Sequence, residues 1–232
     1  MIGSVAALVL GGRVALSRIT GKTAFAIAGG AITFGALGAW AERLADNATA
    51  ANHALCGPAF GIAIPLTSFA MVSVALRRVR PDNAIENVAS LGANRRAAVV
   101  GSMLATAAIA AAICLMIASV TSLVANSSWN ADSSNDVFTS AWIGALTGGA
   151  YVFFFVAAST VGKTGGGRVF ALLADWILGP MVGAGAVVFP RSHALNLLGA
   201  EPVMALSQRA SSAILAAMVV VFAAIAAART RP

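Results

Sequence analysis

The run AAVVGSMLATAAIAAAICLMIASVTSLVA, residues 97–125, contains no Asp, Glu, Lys or Arg. A hydrocarbon core of about 30 Å needs about 20 apolar helical residues, so this stretch is long enough to cross a bilayer with residues to spare. Working outward from it, further charge-free runs occupy Thr23 to Ala41, Asn47 to Leu76 (its spanning part Ala54 to Leu76), Val137 to Gly162, and Ala210 to Ala228. A sixth, Val169 to Phe189, is interrupted by Asp175 and broken at Gly179-Pro180. Six membrane-spanning helices are therefore expected, the fifth of them irregular. Runs this rich in Ala, Leu and Met lack the apolar/polar alternation of a membrane barrel, so the fold class is all-α: a polytopic membrane helical bundle forming a single transmembrane domain over residues 1–232.

Composition agrees. Of 232 residues, 59% are hydrophobic and 10% charged, with a mean hydropathy of +0.87, whereas soluble domains carry about 25% charged residues. This argues against a cytosolic enzyme, a nucleic-acid-binding domain and a disordered tail. The net charge of +7 comes from short basic punctuation between apolar runs, not from the clustered basic face that a nucleic-acid partner requires. Two cysteines make neither a disulfide framework nor a metal site.

Met1 to Leu10 is apolar but too short to span, and it lacks the positive region that precedes the apolar core of a signal peptide. With Arg13, Arg18 and Lys22 following, residues 1–22 read as an interfacial helix. The positive-inside rule orients the chain. An inner N-terminus places Arg13, Arg18, Lys22, Arg77, Arg78, Arg80, Arg95, Arg96, Lys163, Arg168, Arg229 and Arg231 inside, and only Arg43, Arg191 and Arg209 outside. Both termini are then cytoplasmic. The outer loops, Glu42 to His53 and Asn126 to Asp136, are short and polar, and Trp129 in the second suits a headgroup-level anchor.

The one substantial inner loop is Arg77-Arg-Val-Arg-Pro-Asp-Asn-Ala-Ile-Glu-Asn-Val-Ala-Ser-Leu-Gly-Ala-Asn-Arg-Arg96. Pro81 begins a helix whose N-terminal end Asp82 and Glu86 favour. Ile85, Val88 and Leu91 form an apolar edge, Gly92 is a natural stop, and Arg95 and Arg96 return to the membrane surface. The spacing predicts a short amphipathic helix on the cytoplasmic face; the competing reading is an ordinary loop with positive-inside arginines.

Asp175 is the only acidic residue well inside an apolar run, and a carboxylate at a helix centre costs about 2.5–3.5 kcal/mol on insertion scales. It is expected to lie in a substrate path, to meet Arg168, or to snorkel from the inner interface. Pro58 and Pro65 should bend the second span. Gly57–Gly61, Gly144–Gly148 and Gly179–Gly183 each match the small-xxx-small contact pattern. Gly21-Lys22-Thr23 and Gly162-Lys163-Thr164 are similar to the end of a phosphate loop, but the glycine required five positions before each is replaced by Leu16 and Ala157. His53 and His193 stand alone near outer boundaries, Cys56 and Cys114 read as buried packing residues, and no catalytic or cofactor constellation is present. The chain is not expected to be an enzyme.

Six spans, an interfacial N-terminal helix and a helical loop between spans two and three resemble the membrane subunits of type-2 ATP-binding-cassette exporters. The sequence Glu86-Asn-Val-Ala-Ser-Leu-Gly-Ala-Asn-Arg-Arg96 is similar to their coupling loops, with an acidic residue, Leu-Gly-Ala and a basic pair. The irregular fifth span followed by Pro190 to Gln208 resembles their broken outer segment. The resemblance implies a permease of a bacterial inner (cytoplasmic) membrane. It would pair with a second copy or a paralogue and dock a separate cytoplasmic ATPase through residues 77–96, with Asp82, Ile85, Glu86, Val88, Leu91, Gly92 and Arg95 in contact. The alternative is a non-transporting scaffold or an accessory subunit of a larger membrane complex; an ion- or proton-coupled carrier would want more intramembrane charge than one aspartate.

Overall fold

The computed structural model describes residues 3–45, 49–126, 131–162, 164–181, 183–200 and 203–230, with Ala131 and Asp132 described by backbone alone. Of the described residues 84% are helical and none forms a strand. The helices are α1 (Ser4–Ile19), α2 (Lys22–Leu44), α3 (Ala50–Ala54), α4 (Ile64–Ala75), α5 (Pro81–Ala84), α6 (Glu86–Ala89), α7 (Arg95–Ala125), α8 (Ala131–Ala158), α9 (Gly167–Leu178), α10 (Pro190–Leu197) and α11 (Gln208–Arg229). A π-helical stretch, Leu55–Ala63, joins α3 to α4, and the 3-10 turns Ala184–Val188 and Val203–Ala205 flank α10.

Five of these helices or helical rods are long and apolar enough to cross a membrane: α2, the continuous rod Ala50–Ala75, α7, α8 and α11. By length and composition the chain is a multi-pass membrane protein. Four of the five follow their charge-free runs closely. The rod is helical through both Pro58 and Pro65, with π winding over Leu55–Ala63 around Pro58 and Pro65 in the first turn of α4. The helix α8 starts at Ala131, so the polar outer loop expected at Asn126 to Asp136 is shorter: its second half is helical. Trp129 lies outside the described residues.

The fifth run breaks at Gly179-Pro180, as its sequence predicts, and is not itself a helix of spanning length: α9 stops at Leu178, because Pro180 supplies no N–H to extend the hydrogen-bond ladder. The chain then turns through the 3-10 segment, and Pro190, whose φ is already helical, opens the eight-residue α10. Gly167 abuts the carbonyl of Ala158 at the end of α8. At the other extreme, Leu197 and Leu198 line a cavity of about 400 Å³ with Asn52, Asn126 and Asp136. Two half-helices thus reach from one end of the bundle to the other.

The rod and α8 lie at the centre, with 61% and 67% of their most apolar windows buried, against 22% for α2 and α11. Small residues set the closest contacts. A Cβ on Gly144 would stand 2.6 Å from the Cys114 carbonyl oxygen, and one on Gly148 would stand 2.6 Å from the Cys114 sulfur. Of the three small-xxx-small matches this one is a true two-point helix contact; Gly57 and Gly183 face open space. The tightest approach in the bundle was not anticipated: Gly11 of α1 lies against the backbone of Ala98 and Gly101 of α7 against the backbone of Leu8, so that a Cβ on either glycine would lie 1.9 Å from a carbonyl oxygen. The N-terminal helix therefore packs on α7 through Ala7, Gly11, Ala15 and Ile19, every fourth residue, while Val5 and Val9 remain exposed.

Candidate functional site

The half-helices converge on a buried polar cluster. Asp175 is completely buried. Its carboxylate accepts a 2.7 Å hydrogen bond from the Tyr151 hydroxyl and a long one, 3.4 Å, from the backbone N–H of Arg191 in the first turn of α10. The carboxylate thus sits at the positive end of one half-helix while belonging to the last turn of the other. The Arg191 side chain packs on Gly179, and its Nη2 would lie 3.1 Å from a Cβ on Gly61. Its charge acts on Asp175, although no ion pair within 4 Å joins the two side chains, and Arg191 Nε is buried without a partner. Gly61 lies about midway along the rod Ala50–Ala75, so the cluster lies near the middle of the bundle.

Two sequence expectations change here. Asp175 neither snorkels to an interface nor meets Arg168: it is oriented inward by Tyr151 and Arg191. Arg191, assigned to an outer segment by its place after Pro190, is inside the bundle, because the break at Gly179-Pro180 returns the chain through the interior. The charge asymmetry grows as a result, since only Arg43 and Arg209 of the described residues remain on the far side. Tyr151 was legible in principle. It is the only tyrosine, in the middle of an apolar run, and a buried phenol needs a partner. Its ring stacks on Phe155, which meets Phe69 edge-on and Phe154 at a tilt, fixing the hydroxyl's direction.

A second network holds α10. The carbonyl of Val187 can only accept, so His193 Nε2 is the protonated nitrogen (2.8 Å), and Nδ1 accepts from Ser211 (3.2 Å). Asn196 donates to Ser211 and to the Leu206 carbonyl. Both ring nitrogens of His193 are thus engaged within the protein. Among the described residues no group of three or more His, Cys, Asp or Glu could hold a metal ion. Cys114 is buried, as expected, but Cys56 is only half-buried, its thiol donating to Asn52.

The loop 77–96 is a folded platform. The expected single helix is two short ones, interrupted at Ile85. Ile85 and Val88 are buried in the protein's own core, whereas Leu91 is 69% exposed, so only the last residue of the apolar edge is open to a partner. Asp82 is buried and paired with Arg80 at 3.2 Å. Glu86 is exposed, and Arg95 is half-buried in the first turn of α7. The second helix already ends at Ala89, and Gly92 lies in the turn beyond it, at φ +79°, a conformation that favours glycine. The platform is clamped on two sides. Arg18 of α1 donates to the carbonyls of Ala75 and Ala84, with burial and then the like charge of Arg77 lowering its pKa. Arg80 donates to the carbonyl of Gly162 in the α8–α9 connector.

Comparison with known protein families, with curated proteins and with solved structures found no match to this chain.

Proposed function

We propose that the chain is the membrane-spanning permease subunit of an ATP-binding-cassette exporter, working with a separate cytoplasmic ATPase and with a second permease copy or paralogue. The observation that carries this reading is the clamping of the 77–96 platform. A partner pressing on Glu86 and Leu91 moves a unit tied to α1 through Arg18 and to the α8–α9 connector through Arg80. That connector leads into α9, whose far end carries Asp175. Two half-helices meeting end to end can tilt independently, as one continuous helix cannot, and helix discontinuities near the midplane are where membrane transporters place their sites. Asp175, Tyr151 and Arg191 then line the substrate path, and both termini face the cytoplasm of a bacterial inner membrane.

Glu86 and Leu91 are exposed, so substitutions there read docking and not folding. With the ATPase co-expressed, Glu86→Lys together with Leu91→Asp should abolish its co-purification while the permease inserts normally. Undiminished co-purification would overturn the docking assignment. An ATPase absent even from the wild-type preparation leaves the scaffold or accessory-subunit reading in its place.

A further inference from the structure

At the end of the bundle that carries the platform, a cavity of about 690 Å³ opens between α2, the end of α4 and the start of α9. Among the described residues three arginines line it, Arg77, Arg78 and Arg168, and no acidic side chain does. Arg168 is only 5% exposed, and its Nη1 has no hydrogen-bond partner; the Ser73 hydroxyl is likewise buried and unpartnered. A guanidinium taken out of water without a counter-charge is strongly unfavourable, and an anion in the cavity would offset that cost as well as accept from Nη1. The buried carboxylate of the platform, Asp82, is already paired with Arg80. Arg77 and Arg78 line the same cavity as Arg168, so three like charges are gathered around one space. Arg77 and Arg78 reach this position at a cost: both have left-handed backbones, φ +51° and +59°, a conformation rare for two successive non-glycine residues. The N-termini of α2 and α9, neither with a side-chain cap, also end here and add positive dipole ends.

The shape identifies the source of the anion. The cavity shares Ile27, Phe69 and Ala70 with an apolar groove of about 420 Å³ that continues along α2 and α4 to Phe34, Ile62 and Leu66. The charged part is at the helix ends, where headgroups lie, and the apolar part runs along the crossing helices.

We propose that this cavity binds the phosphate of an anionic lipid, held by Arg77, Arg78 and Arg168, with an acyl chain in the α2–α4 groove. The site is independent of the exporter reading, since it requires no ATPase and no transport, and its test contains neither.

The purified full chain in phosphatidylcholine nanodiscs doped with phosphatidylglycerol is analysed by native mass spectrometry for retained lipid. Wild type should retain phosphatidylglycerol over phosphatidylcholine, and the loss should be about fivefold or more for each arginine removed. Arg168→Gln tests the buried charge. Arg78→Gly removes charge while relieving the left-handed strain, so weaker retention with an unchanged or raised melting temperature separates binding from folding. Ala70→Phe, which fills the groove and leaves the arginines alone, should also weaken retention, and inorganic phosphate should not displace the lipid. Arg96→Gln, exposed and outside the cavity, should change nothing. Retention unaffected by both arginine substitutions would overturn the site. Displacement by inorganic phosphate, with Ala70→Phe indifferent, would overturn the lipid and assign the arginines to free phosphate.

Discussion

At the scale of single residues the chain concentrates its chemistry in a few side chains held by unusual surroundings. Asp175 in an apolar run is costly unless its lone pairs are used, and Tyr151 and the first N–H of α10 use them. Tyr151→Phe removes the only side-chain donor and should destabilise the protein by about 1 kcal/mol, the scale of intramembrane hydrogen bonds, read as a lower unfolding midpoint in detergent. Asp175→Asn keeps an acceptor for the phenol and deletes the charge. It should assemble and melt close to wild type while losing export activity in reconstituted vesicles with the ATPase. Full activity of that variant would reduce Asp175 to a structural carboxylate. The aspartate was visible in the sequence because charge in an apolar run is conspicuous. Its partners were not: Tyr151 is 24 positions away and Arg191 is 16, and pairing at that distance is a property of how helices pack.

At the scale of elements, the dominant device is the small residue at a helix crossing. Gly11 and Gly101 allow α1 to lie directly on α7. Gly101→Val would force backbone apart from backbone, and overpacking of this kind costs about 1–3 kcal/mol. The expected result is release of α1, seen as new protease sensitivity around Arg13 and Arg18 with the rest of the bundle intact. An unchanged digestion pattern would mean that α1 tolerates separation from α7. Spans were predictable because length and apolarity alone decide whether a helix can cross. The element that broke the pattern, α9 to α10, was signalled by Gly179-Pro180, yet the signal marks only where a helix must stop. Whether the chain then leaves the membrane or folds back inside depends on whether the interior offers partners, and here it offers them to Asp175 and His193. The platform shows the same limit. Three-residue spacing in Ile85, Val88 and Leu91 predicts a shared face, but contact with the core takes two of the three.

At the scale of the whole molecule, basic residues gather at the end that carries the 77–96 platform, and the described far side keeps Arg43 and Arg209. Orientation should follow that asymmetry. In a background with Cys56 replaced by alanine, and Cys114 inert through burial, a cysteine at Ser128 should react with an impermeant maleimide in intact cells. One at Thr164, exposed at the platform end, should react only after permeabilisation. Equal labelling of both would refute the topology. The bundle also leaves large apolar side chains uncovered, Phe25 at 74% exposure and Val220 at 69% among them, and lipid or a second copy must cover these faces.

The all-α class and five of the six expected runs, each now a helix long and apolar enough to cross a membrane, were legible in the sequence alone, because transfer of apolar length into hydrocarbon is additive and local: each run can be judged without knowing its neighbours. The break between α9 and α10 was signalled there too. The return of Arg191 to the interior, the pairing of Tyr151 with Asp175, the burial of Ile85 and Val88, and the arginine-lined cavity were decided only in the tertiary structure. Each is an arrangement of residues from different helices, and a polar side chain's environment is set by what packs around it, which no single stretch of chain contains.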